Sequence, residues 1–243
     1  MEMVYMYLNK TKIEWADRTW NPVTGCNHTC PYCYARKIAE NPFYRKAFPY
    51  RFEPHFYPER IDAPLKLKKP SRIFCGSVTD LFGEWVQGDW LIDTFETMSA
   101  ASWHDFIILT KNPVGIRKLY DETTGWYFGG GDYLPNVYLG VSVTKWSEFD
   151  RIKTLKEQWI GPKVVSFEPL LNTDIHEPDL SGINWIILGA QTQPSRYPDP
   201  HQVANIIRAA DKHGVPVFMK NNLGDAVFNY CGEKRTEPPK KDV

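Results

Sequence analysis

Six runs of continuous apolar residues recur along the chain, each followed by polar side chains and separated by helix-compatible segments. They are Arg72 to Ser77, Asp105 to Thr110, Asn136 to Ser142, Lys163 to Glu168, Asn184 to Gly189 and Val215 to Lys220. Continuous rather than alternating hydrophobicity marks strands buried on both faces, as in a parallel sheet covered by helices. Residues 90–102, 114–120, 145–158 and 200–213 are the intervening helices; in the last, Val203, Ile206, Ile207 and Ala210 fall on one helical face. A further strand near Thr19 to Thr24 brings the total to seven. The expected fold is α/β, a partial (β/α) barrel of about six to seven parallel strands. A length of 243 residues suits a single domain over 1–243, with 1–10 and 233–243 as flexible ends.

In such folds chemistry collects at the carboxyl ends of the strands. That rule selects Ser77, Thr79 and Asp80; Thr110, Lys111 and Asn112; Ser142 and Thr144; Ser166 and Glu168; Gln191; and Lys220, Asn221 and Asn222. Any one of them alone could be a strand-end cap. Glu168, Gln191 and Lys220 stand out because a polar or charged group after a strongly apolar strand needs a partner, a ligand or a wet cavity. Glu168, Lys111 and Lys220 are therefore the catalytic candidates.

The string Asn21-Pro-Val-Thr-Gly-Cys-Asn-His-Thr-Cys-Pro-Tyr-Cys-Tyr34 carries the other chemical signal. Three thiols, Cys26, Cys30 and Cys33, crowd one loop and suit an iron-sulfur cluster or zinc. A structural zinc site needs four ligands, so it would have to recruit His28, Cys75 or Cys231. Five cysteines are too few and too odd in number for a disulfide scaffold, and the N-terminus lacks a basic region followed by a long apolar core. Charges balance at 29 against 29, which argues against a long polyanion footprint. No apolar run approaches the roughly 20 residues that span a bilayer, so a cytoplasmic enzyme without a membrane partner is expected.

Cys-x3-Cys-x2-Cys, with Tyr32 before the third cysteine, resembles the signature of the radical S-adenosylmethionine (SAM) superfamily. That resemblance implies that Cys26, Cys30 and Cys33 hold a 4Fe-4S cluster whose fourth iron is open to SAM, with an external one-electron donor of flavodoxin or ferredoxin type. Reductive cleavage of SAM to a 5'-deoxyadenosyl radical, then hydrogen abstraction from a substrate, is the implied reaction. Carried over by place in the barrel, Gly76, Ser77, Thr79 and Asp80 would meet the SAM amino group, and Ser142 the ribose. Backbone around Tyr32 and Tyr34 would meet the adenine. Gln191 joins the cofactor contacts, although Gly189-Ala-Gln191 stands where a Gly-Gly-Glu-like string is more usual. A closer likeness, through Thr11-Lys-Ile-Glu-Trp-Ala-Asp-Arg-Thr-Trp-Asn-Pro-Val-Thr-Gly-Cys26, Ser77-Val-Thr-Asp-Leu-Phe82, Ser166-Phe-Glu-Pro-Leu170 and Gly214-Val-Pro-Val-Phe-Met-Lys220, is to the phage-associated gp37/gp68-like group. A broader one is to spore photoproduct lyase and DNA-repair-photolyase-like proteins.

The stretch from Phe43 to Arg60 interleaves Tyr44, Phe48, Tyr50 and Phe52 with Arg45, Lys46 and Arg51. Stacking faces beside positive charge are how a nucleotide or a short single strand is gripped, although a loop packing its aromatics inward has the same composition. Gly129-Gly-Gly131 suggests a lid. Two other readings stay open at this level: a zinc-stabilised nucleic-acid-binding module without catalysis, and a radical SAM enzyme acting on a peptide or small metabolite.

Overall fold

The computed structural model describes residues 7–121, 125–126, 133–171 and 177–240. The glycine triplet at 129–131 lies outside them. The chain divides into two compact units, Met1–Tyr138 and Leu139–Val243.

The main sheet has eight strands, and they stand in it in chain order. In the first unit these are β1 (Leu8–Lys10), β2 (Arg18–Trp20), β3 (Arg72–Cys75) and β4 (Asp105–Thr110). β2, β3 and β4 pair in parallel, whereas β1 runs antiparallel to β2 with Leu8 opposite Trp20. Strand β5 (Val137–Ser142) begins with the last two residues of that unit, and all six of its residues are buried. In the second unit β5 is followed by β6 (Lys163–Phe167), β7 (Trp185–Leu188) and β8 (Val217–Met219), all parallel. The seven expected strands are present, β2 to β4 parallel to one another and β5 to β8 likewise. An antiparallel strand is added within the segment 1–10, which the sequence reading left as a loose end.

Helices fall between the strands where apolar spacing places them. The first unit has α1 (Tyr34–Glu40), the one-turn α2 (Ala63–Lys66) and α3 (Gly88–Ala100). The second has α4 (Asp150–Gln158), α5 (Pro200–His213) and α6 (Asp225–Cys231). Local signals set α5. Asp199 caps it by accepting from His201 N at 2.9 Å, Pro200 occupies the first turn, and Gly214 ends it in the left-handed region at φ 61°. Its stripe of Val203, Ile206, Ile207 and Ala210 is buried. The segment expected as a helix over 114–120 is instead a 3-10 turn, Pro113–Leu119. The expected strand near Thr19 to Thr24 splits, because Val23–Thr24 leaves the main sheet to pair antiparallel with His55–Phe56.

The C-terminal tail departs from the sequence reading. Residues 235–240 lie along β8 and β7: Met219 N donates to Arg235 O (2.8 Å), Glu237 N to Val217 O (3.1 Å) and Lys240 N to Asn184 O (3.1 Å). The indole N–H of buried Trp185 donates to Glu237 O at 2.8 Å. Backbone pairing leaves no side-chain pattern, which is why composition reads the segment as disordered. Truncation after Gly232 removes these bonds and strands a buried indole N–H, a loss of about 3–5 kcal/mol. A fall in melting temperature of roughly 10 °C, followed by circular dichroism, is expected; an unchanged melt would show that the pairing carries no stability.

Candidate functional site

In the first unit the cysteine loop leaves Val23–Thr24 through Gly25, at φ 83°. A Cβ at Gly25 would sit 2.2 Å from the Glu53 carbonyl oxygen, so only glycine allows this passage. Gly25 N donates to Val78 O (3.1 Å) and Cys26 N to Phe52 O (3.2 Å). Cys26 is buried and Cys30 and Cys33 are half-buried; none of the three is in a disulfide. Cys33 caps α1, its Sγ accepting from Arg36 N at 3.3 Å. The Arg36 guanidinium folds back over the Phe52 ring (4.6 Å) and donates to the carbonyls of Cys26 (3.0 Å) and His28 (3.3 Å). Burial, first of several influences, pushes the Cys26 thiol up to about 11. It therefore keeps its proton at neutral pH.

The loop after β3 grips this one. Thr79 Oγ1 donates to Gly25 O (2.6 Å), Tyr34 OH to Ser77 O (2.5 Å), and Ser77 Oγ exchanges hydrogen bonds with the Asn21 amide (3.1 and 3.2 Å). Asp80, 5% exposed, accepts on Oδ1 from Thr110 Oγ1 (2.6 Å) and Phe82 N (3.1 Å). Its Oδ2 accepts from Lys111 N (2.8 Å) and lies 2.9 Å from His28 Nε2. Burial alone would raise the Asp80 carboxyl, but hydrogen bonds from His28, Thr110 and Lys111 outweigh it and hold the group below its usual range. Asp80 is thus an acceptor-only carboxylate, and His28 Nε2 carries the proton between them.

The Lys111 ammonium lies 6.0 Å from the centre of the Tyr32 ring. Burial works against its charge, yet Tyr32, Cys30, Asp80 and Cys26 together raise it above its ordinary value. No acceptor or carboxylate pairs with that ammonium among the described residues. A positive charge beside Tyr32 therefore acts on the thiols of Cys30 and Cys26.

Around Phe43 to Arg60 the aromatics divide between the two readings. Phe52 and Tyr57 are buried, Tyr50 stacks on His55 (3.8 Å), and Arg60 lies over Tyr57 (3.5 Å). Phe43, Tyr44 and Tyr50 are exposed, the first two edge to face at 5.2 Å, and Arg45, Lys46 and Arg51 are also exposed.

In the second unit Glu168 and Lys220 form an ion pair, with side chains 24% and 16% exposed. Glu168 lies directly over Gly189, where a Cβ would stand 2.8 Å from the carboxyl carbon. Ser142 faces Ser166 in register and its carbonyl accepts from Arg151 (2.8 Å). Gln191 turns into its own hairpin and donates to Pro194 O (2.9 Å). Asn222 bonds both backbone groups of Ala190, at 3.1 and 2.8 Å.

The structure thus gathers Cys26, Cys30, Cys33, Tyr32, Tyr34, Gly76, Ser77, Thr79, Asp80 and Lys111 about one loop of the first unit. Glu168, Lys220 and Gly189 gather in the second. Sequence reasoning missed Arg36 and Asn21, which show no signal beyond their nearness to the cysteines, and it weighed His28 only as a metal ligand. Among the described residues no three His, Cys, Asp or Glu side chains converge as one metal ion requires. His28, a candidate fourth zinc ligand, is engaged by Asp80, and Cys75 is buried within β3 at 1% exposure. A 4Fe-4S cluster spreads its thiolates over separate irons. Three disulfide-free thiols on one loop, with a lysine charge acting on two of them and a backbone N–H on the Cys33 sulfur, fit that group.

The fold is similar to that of spore photoproduct lyase. A variant with dinucleoside spore photoproduct matches with a TM-score of 0.61 at 11% identity, covering 90% of this chain and 80% of that one. Another structure of that complex gives 0.58 at 10% identity, over 88% and 80%. A variant with bound AdoMet and dinucleoside spore photoproduct gives 0.53 at 12% identity, over 87% and 65%. No curated protein matches the sequence. Residues 10–236 match the family described as "Protein of unknown function (DUF5131)". Also among the described residues, no helix is long and apolar enough to cross a membrane.

Proposed function

The chain belongs to the DUF5131 family, and we propose that it is a radical SAM enzyme in which Cys26, Cys30 and Cys33 hold a 4Fe-4S cluster. The observation that carries this reading is the cysteine loop itself: three disulfide-free thiols fixed by Gly25, Arg36 and the loop after β3, with the ammonium of Lys111 beside Tyr32 of the same loop. The likeness of fold to spore photoproduct lyase supports it, as does the similarity of its opening string to the phage-associated group. When bound, the cluster supplies the electron, delivered by a flavodoxin- or ferredoxin-type donor, that splits SAM into methionine and a 5'-deoxyadenosyl radical able to take hydrogen from a substrate.

The chain's own residues do the rest. Lys111 offsets the negative charge that three thiolates bring into a half-buried loop. Tyr32 and Tyr34, on either side of Cys33, bring aromatic rings to the loop's rim. The Glu168–Lys220 pair offers a fixed carboxylate and ammonium to a polar ligand group, and Ser142 a buried hydroxyl. For the substrate the reading is a nucleotide or a short single-stranded segment. Phe43 and Tyr44 present free stacking faces, and Arg45, Lys46 and Arg51 present charge for phosphate. The lyase structures hold a dinucleoside, which accords with this. Such an enzyme would work in the cytoplasm.

Reconstituted under anaerobic conditions and given SAM and dithionite, the protein is expected to release 5'-deoxyadenosine, slowly even without substrate. A well-loaded cluster that yields no product, or yields methylthioadenosine, would overturn the reading.

A further inference from the structure

Asp80 lies where the family resemblance puts a contact to the SAM amino group, but its surroundings give it different work. A carboxylate has about four acceptor sites. Asp80 fills four from this chain: Thr110 Oγ1 (2.6 Å), Phe82 N (3.1 Å), Lys111 N (2.8 Å) and His28 Nε2 (2.9 Å). The group is nearly closed off from solvent, so an incoming ammonium would have to displace a bond already made. Three of the donors belong to the backbone and side chains that end β4 and continue the loop after β3. The fourth comes from the middle of the cysteine loop.

His28 sits between Cys26 and Cys30 and is held from two sides. Its carbonyl accepts from Arg36 (3.3 Å), while its ring meets the edge of Trp85 at 5.0 Å and 82° and reaches Asp80. Asn27 and Thr29, its neighbours, are exposed. The His28 bond to Asp80 therefore ties down the arc that carries Cys26 into Cys30 through a side chain of the arc itself, beside the Arg36 guanidinium that holds the Cys26 and His28 carbonyls. Thr79, bonded to Gly25 O at 2.6 Å, tethers the start of the same arc.

We propose that Asp80 and His28 are a positioning pair for the cysteine loop, the buried carboxylate fixing where Cys26 and Cys30 stand, and that Asp80 is not a SAM contact. The inference rests on the cysteine loop being the cluster site. Outer partners of metal ligands act this way in general, and their loss typically weakens metal holding by roughly 10–100-fold.

Two substitutions at His28 isolate the bond. His28→Phe keeps the ring edge against Trp85 and removes the N–H; His28→Gln places an amide N–H near the position of Nε2. Three quantities are read on each: the melt by circular dichroism, the rate of iron loss from the reconstituted protein to a chelator, and the EPR spectrum of the reduced cluster. The expected result is an intact fold in both, iron loss about tenfold faster or more with an altered EPR spectrum in His28→Phe, and rescue of both in His28→Gln. A His28→Phe protein matching wild type in chelator rate and spectrum overturns the proposal, as does His28→Gln failing to rescue. Failure of the wild type to take up a cluster would instead sink the proposed function. The pairing is then decided on the metal-free chain by the alkylation rate of buried Cys26, followed by mass spectrometry. Faster alkylation in His28→Phe, reversed in His28→Gln, supports it, and equal rates in all three proteins remove it.

Discussion

Alanine at Cys26, Cys30 or Cys33 is expected to leave a chain that folds but retains almost none of the iron of the reconstituted wild type. In the proposed site each of the three would supply one thiolate of a set that has no reserve. Cys75 is buried inside β3, and Cys231 ends α6 in the other unit. Losing a ligand should cost more than the roughly 10–100-fold that changes in outer partners cost. Cys26 is the strictest test of folding, since it is buried beside Ala35, Ala39 and Phe52; alanine there trades a small apolar side chain for a smaller one, at a cost of order 1 kcal/mol. Iron and sulfide analysis with Mössbauer or EPR spectroscopy measures the loss, and full retention of a cluster in any one variant would remove that residue from the ligand set.

The second large effect concerns Glu168. Breaking a buried ion pair from one side costs about 3–5 kcal/mol and an exposed one under about 1; with both side chains under a quarter exposed, Glu168→Gln or Lys220→Met is expected to cost about 2 kcal/mol. The double variant should regain most of that stability, because no charge is left unpaired, yet turnover should remain at least about a hundredfold down if the pair meets a reacting or binding group. Gly189→Ala gives an independent handle, because the new Cβ would stand 2.8 Å from Cδ and 2.9 Å from Cγ of Glu168. It forces the carboxylate off its seat without changing any charge, and should lower turnover while costing about 1–3 kcal/mol. If the double variant keeps wild-type turnover, the pair belongs to the scaffold alone. Turnover of Gly189→Ala equal to wild type would show that the seat of Glu168 does not matter.

The parallel strands were legible because burial on both faces leaves a run of apolar residues with no polar interruption, as in β5 and β7. β1 was not, since only Leu8 of its three residues is buried. The cysteines announced themselves by spacing, and a charge following the strand at Glu168 rightly demanded a partner. What that partner was could not be read, because Lys220 is 52 residues away. Asp80 shows the same limit from the other side. A polar residue after a strand reads as a ligand contact, and only the fold reveals that donors at positions 28, 82, 110 and 111 already occupy it.

The C-terminal tail has a consequence beyond the bonds it contributes. β8 pairs with β7 on one side; on the other, Phe218 bridges antiparallel to Thr236, and Arg235 and Glu237 take the backbone groups of Met219 and Val217. A short hydrophobic strand with an open flank is a template for joining another chain. With residues 235–237 laid against it, β8 offers no such template. A shortened protein would therefore be prone to self-association through β8, and its loss on storage would come from precipitation before it came from unfolding.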